Sequence, residues 1–182
     1  MHRLENNPYS PLNQHIKERL KPVTISIAPL DNISAVEMIN EYQLEGWCWQ
    51  STTFLSVFFD NESTVSRGNL TLPTYSRDDY FHSWIELGHK NKRYVFDPAL
   101  NYLYQKDDYY NEFNVRTIRQ IQASKIRDSL IDLVDNSHEK SIYIPGTDNI
   151  EDPFFRTNSK VSVKTDSDKK IEELDVRFYF NG

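Results

Sequence analysis

Hydrophobic and polar positions divide this chain into short elements of changing period. Val23–Ala28 (VTISIA) alternates and is β-branched, which predicts a strand stopped by Pro29. Asp31 then stands as the N-cap of a helix to about Tyr42, striped by Ile33, Val36, Met38 and Ile39. Gly46 breaks that pattern. From Cys48 to Phe59 the spacing of Phe54, Leu55, Phe58 and Phe59 predicts a second helix with one buried side, ended by Asp60-Asn61. Leu70 and Leu72 suggest a short strand within the polar stretch 61–79. Tyr80–Leu87 and Lys92–Asp97 read as two strands joined by residues 88–91, with Pro98 closing the second. Asp107–Asn114 reads as a tyrosine-rich acidic loop. Val115–Val134 gives the strongest helical signal, with Val115, Ile118, Ile121, Ile126, Leu130, Leu133 and Val134 near a period of 3.6. Ser141–Ile144 predicts a strand ended by the Pro145-Gly146 turn, 146–170 reads as loop, and Val176–Phe180 as a last strand. Residues 1–22 read as an N-terminal arm with at most a short helix around Gln14–Leu20, leaving 23–182 as one domain.

Composition narrows the class. A chain of 182 residues fits one domain and buries roughly 70% of its unfolded surface, so it needs no disulfide staple. With Cys48 as its one cysteine it makes no internal disulfide and no multi-cysteine zinc site. The formal net charge of −6 argues against a nucleic-acid phosphate as partner. No apolar run approaches the ~18–20 residues of a membrane span, and the first residues carry no apolar signal-peptide core. The expectation is a cytoplasmic domain, with non-classical export left open. Glycine numbers only five, and no Gly-rich phosphate loop occurs. The histidines His2, His15, His89 and His138 share no metal-ligand spacing, so neither a metal nor a cofactor is expected.

The single thiol is either a small buried hydrophobe or a nucleophile. A nucleophilic thiol needs a field that favours thiolate, a base, and a group that orients the base. Cys48 opens a predicted helix, whose unpaired N–H groups and partial positive charge favour thiolate and can hold a developing oxyanion. Alternation sets His82, Trp84 and Glu86 on one strand face, and Arg93, Val95 and Asp97 on one face of the next. A four-residue loop at 88–91 pairs Leu87 with Lys92, Glu86 with Arg93, Trp84 with Val95 and His82 with Asp97. Opposed residues share a face with Cβ atoms ~4.5–5.5 Å apart. A one-residue slip would separate the histidine from the carboxylate.

These residues carry a resemblance. Gly46-Trp47-Cys48-Trp49, then His82-Ser83-Trp84-Ile85-Glu86, then Asp97-Pro98 resemble the transglutaminase-like branch of the papain-fold cysteine enzymes, over roughly residues 43–100. The resemblance implies an α+β fold, with the cysteine helix packed on an antiparallel sheet and Cys48, His82 and Asp97 as catalytic triad. It implies amide hydrolysis, glutamine deamidation or acyl transfer to an amine through a thioester, on a protein, peptide or small amide substrate. Papain-like peptidases carry an oxyanion-supporting Gln a few residues before the nucleophile. Gln43 lies five before, slightly off that interval, and Trp47 or Gln50 are alternatives. Trp49 and Trp84 are candidate walls of the acyl-binding cleft. Glu86 reads as structural. Two other readings stand beside this one: a binding module that keeps the fold without the chemistry, and a small-molecule N-acyltransferase.

Overall fold

The computed structural model describes residues 10–27, 32–72, 77–138 and 141–180. The fold is α+β, with two five-stranded sheets and five helices among the described residues. The first sheet holds β1 (Val23–Ile27), β2 (Ile33–Ser34), β8 (Ser141–Ile144), β9 (Ser159–Thr165) and β10 (Ile171–Phe178), in the order β2-β1-β10-β9-β8. Parallel pairing of β1 with β10 ties the early chain to its last strand. The second sheet holds β3 (Thr64–Leu72), β4 (Arg77–His89), β5 (Lys92–Asp97), β6 (Tyr102–Gln105) and β7 (Arg116–Gln122), in the antiparallel order β6-β5-β4-β3-β7. The helices are α1 (Ser10–Leu20), α2 (Ala35–Asn40), α3 (Cys48–Ser56), α4 (Lys106–Glu112) and α5 (Ala123–Asp135).

All nine residues of α3 are buried, although more than half of them are polar. The sequence makes this possible with small hydroxyls. Ser51 and Thr52 donate to the carbonyls of Trp47 (2.8 Å) and Cys48 (2.6 Å), and Ser56 to that of Thr53 (2.8 Å). These three hydroxyls find acceptors on nearby carbonyls of the same chain segment, which lowers the cost of burying them, while Gln50 Oε1 and Thr53 Oγ1 are buried without a partner among the described residues. Phe54 stacks on Phe154 and on Phe178 of β10, while Thr52 meets Ser83 of β4 at 2.7 Å. The helix is therefore gripped by both sheets rather than by one apolar side.

Several expectations change. The segment 1–22 read as an arm, yet α1 docks Leu12, Ile16 and Leu20, one turn apart, into the core. Asp31 lies outside the described residues, and α2 is capped instead by Ser34, whose hydroxyl accepts the Glu37 N–H. The long helix read over Val115–Val134 divides: Arg116–Gln122 is strand β7, and α5 begins at Ala123. The apolar positions 118 and 121 are spaced for one face of a helix, and pairing with the open edge of β3 overrides that spacing and sets them on different sides of a strand. Ile118 consequently lies 57% exposed. Asp107–Asn114 is mostly helix α4, with Asp107 and Asp108 in the first turn, where carboxylates favour helix. Residues 159–165, read within a loop, form β9 between β8 and β10. No helix among the described residues is long and apolar enough to cross a membrane.

Candidate active site

Gly46 delivers the chain to α3. Its φ of +85° is a conformation only glycine adopts without strain, and no atom crowds the place of a Cβ. Trp47 follows as N-cap without a side-chain cap bond, and Cys48 takes the first helical position. Its N–H is thus one of the first-turn donors with no intrahelical acceptor. Cys48 is 4% exposed and packs with Trp49, Ala99 and Phe155, flanked by Phe81 and Ile150.

His82 and Asp97 are both fully buried, and Nε2 of the imidazole lies 2.8 Å from Oδ2 of the carboxylate. The hairpin reaches this contact by a different register from the one expected. The turn between β4 and β5 is two residues, Lys90-Asn91, both with positive φ (48° and 63°). His89 pairs with Lys92 and Glu86 with Val95, so every partner shifts by two. A two-residue shift preserves the face, and Asp97 meets His82 on the diagonal rather than directly opposite. The expected Glu86–Arg93 pair is lost. Arg93 falls opposite Gly88 and donates to the Glu62 carbonyl. Trp84 correspondingly loses Val95 as its partner.

Burial alone would push the His82 imidazole down. The Asp97 carboxylate and the Cys48 thiol group beside it outweigh burial and raise it to about 10. Nδ1, the nitrogen that Asp97 does not use, is buried with no hydrogen bond of good geometry among the described residues, while the Cys48 side chain is close enough to raise the ring's pKa. It is the ring position left to take the Cys48 proton. Asp97 is held in turn: its Oδ1 accepts the Leu100 N–H at 3.1 Å, and its Oδ2 accepts the Tyr109 hydroxyl at 3.0 Å.

The other expected site residues scatter. Gln43 donates to Glu41 at 2.6 Å, within the turns after α2. Gln50 is buried in α3 with its Oε1 unpaired among the described residues. Trp47 stacks on Phe178 at 5.6 Å, turned into the core. Trp84 is buried against Tyr109 and Tyr110, beneath α4. Trp49 alone of the tryptophans shares the Cys48 cluster, against Phe81 (4.8 Å) and Phe155 (5.0 Å). Glu86 accepts from Ser66, Tyr110 and Lys106. Burial would raise its carboxyl, but these donors hold it below its ordinary value.

Two residues escaped the sequence reading. Tyr109 was hidden in a segment read as loop. Arg67 is a fully buried cation on β3, opposite Ser83. Its Nη1 donates to the carbonyls of Ile150 (2.8 Å) and Asp152 (2.9 Å), and its Nη2 to that of Pro153 (3.1 Å). The guanidinium also lies over the Phe155 ring at 5.1 Å. Arg67 thereby pins the segment that carries Ile150 and Phe155 against Cys48. Burial lowers Arg67 to about 10, with Asp152 and Cys48 opposing the shift. An arginine amid the strand pattern Val65, Arg67, Asn69 was the available signal. Among the described residues, no group of three or more metal-ligating side chains converges.

No protein-family model, no curated protein and no solved structure matches the chain.

Proposed function

We propose that this chain is a thiol-dependent acyl-transfer enzyme of transglutaminase-like, papain-fold type, acting on an amide through Cys48, His82 and Asp97. The observation that carries the reading is the buried 2.8 Å contact between His82 Nε2 and Asp97 Oδ2, which leaves Nδ1 for the thiol at the start of α3. His82 takes the Cys48 proton, and Asp97 stabilises the imidazolium that forms. The thiolate attacks the amide carbonyl, forming the C–S bond, and the Cys48 N–H donates to the oxyanion. As the C–N bond breaks, His82 returns the proton to the leaving amine. Water or a second amine then attacks the thioester and restores the thiol.

Substrate access requires movement. Cys48 is 4% exposed beneath Ile150 and Phe155, so the carbonyl reaches Sγ when the 150–155 segment lifts. Release of ammonia from glutamine peptides, scored against acyl exchange with a thioester donor, separates amide chemistry from small-molecule N-acyl transfer. A Cys48→Ser protein as active as the parent in both assays contradicts the proposal.

A further inference from the structure

We infer that Tyr109 is a positioning residue for the triad, acting on His82 through Asp97; the inference rests on the thiol reading above. Tyr109 lies on α4, outside the sheet that carries the histidine and the aspartate, and its side chain is fully buried. Its hydroxyl donates to Asp97 Oδ2 at 3.0 Å, the same oxygen that meets His82 Nε2 at 2.8 Å. The other oxygen is taken by the Leu100 N–H. The carboxylate therefore has donors from three places: β4, α4 and the turn after β5. Asp97 is the last residue of β5, and its backbone pairs with Tyr102 of β6, so what remains to be fixed is the direction of its carboxylate. Without the phenol, Oδ2 would keep the imidazole as its one partner, with the Leu100 N–H still holding Oδ1.

The surroundings suit a fixed donor. Tyr109 packs against Trp84 (5.9 Å), Tyr104 (5.8 Å) and Phe113 (4.9 Å), which leave its ring no room to turn aside. The groups facing Asp97 are His82 from β4, Tyr109 from α4 and the Leu100 N–H; Tyr102 and Tyr110 add phenols next to Tyr109. Burial and the adjacent Asp97 charge hold the Tyr109 hydroxyl protonated well above the ordinary phenol range, so it remains a donor at every working pH. A donor to a carboxylate favours its charged form. Loss of the Tyr109 hydroxyl would let Oδ2 turn from Nε2, and a misdirected carboxylate stabilises the imidazolium less well.

The test compares alkylation of Cys48 by iodoacetamide from pH 4 to 9 in the parent, His82→Ala, Tyr109→Phe, Asp97→Asn and Tyr109→Phe/Asp97→Asn proteins. Tyr109→Phe keeps the ring and removes one donor. Its expected result is a roughly tenfold slower reaction on the acid limb, as the limb moves up by about one pH unit. In the Asp97→Asn background, the same change is expected to add less than twofold, because Tyr109 acts through the carboxylate. Should the Tyr109→Phe protein not fold, 3-fluorotyrosine placed at the same position keeps the packing and strengthens the donor, and the limb then moves down. An unchanged limb in either variant, with His82→Ala slow, overturns the role of Tyr109 alone. If His82→Ala reacts as fast as the parent, the triad reading falls and takes this inference with it.

Discussion

Asp97 meets His82 along a diagonal of the β4–β5 ladder, across a distance of 2.8 Å. The turn Lys90-Asn91 sets that geometry, since both residues hold the left-handed conformation that a two-residue hairpin turn demands. Lysine adopts it at a cost of about 1 kcal/mol. Replacing the pair by Asn-Gly is expected to raise stability by about 0.5–1 kcal/mol in urea denaturation without changing Cys48 reactivity. A loss of reactivity with a gain in stability would show that the turn does more than set the register.

Gly68 stands opposite His82 on β3, where the β3–β7 pairing shifts register. A Cβ there would run into the Arg116 carbonyl oxygen and lie 2.9 Å from the Thr117 Cα. Gly68→Ala is therefore expected to cost about 2–3 kcal/mol, detaching β7 or displacing the strand that backs His82. Hydrogen exchange of the β7 amides measures this directly. Unchanged protection in a fully stable variant would contradict the close approach.

His82 links stability to pH. Its folded value, raised to about 10, lies above the ordinary ~6.5 of an unfolded histidine. The stabilisation from the protonated ring is then complete below about pH 6.5 and is lost as pH rises toward 10. The urea midpoint of the parent should fall across this window more steeply than that of His82→Asn. Parallel curves would contradict the raised value.

Arg67 should govern the cover over the thiol. Arg67→Met leaves three backbone carbonyls, of Ile150, Asp152 and Pro153, without their donor. The expected cost is about 3 kcal/mol or more, with faster hydrogen exchange confined at first to residues 150–155. Alkylation of Cys48 by a bulky maleimide should quicken relative to iodoacetamide. Equal acceleration of both reagents would point to global unfolding.

The parts legible in the sequence were those where a local signal and a tertiary demand agreed. Gly46 before Cys48 marked the helix start, and Lys92–Asp97 marked its strand between a turn and Pro98. The His82–Asp97 contact follows from alternation under a four-residue loop and under the observed two-residue turn alike, because a two-residue shift leaves side chains on the same face. The Glu86–Arg93 pair depended on exact opposition and did not survive the same shift. Strand β7 was hidden because Ile118 and Ile121 satisfy a helical spacing, and only the edge of β3 selects the strand. The full burial of α3 was hidden by Ser51, Thr52 and Ser56, whose polarity is consumed within the helix. Tyr109 and Arg67 act across long sequence separations, on Asp97 and on the 150–153 carbonyls, which local patterning does not encode.

The central claim is that His82 activates Cys48. The most direct measurement is the second-order rate of iodoacetamide alkylation at pH 7, with Cys48 as the one thiol in the chain. The account predicts labelling well above that of an unperturbed thiol of pKa ~8.5, and a fall of at least about tenfold in a folded His82→Ala protein. Parent labelling no faster than a free thiol, unaffected by His82→Ala, would contradict it.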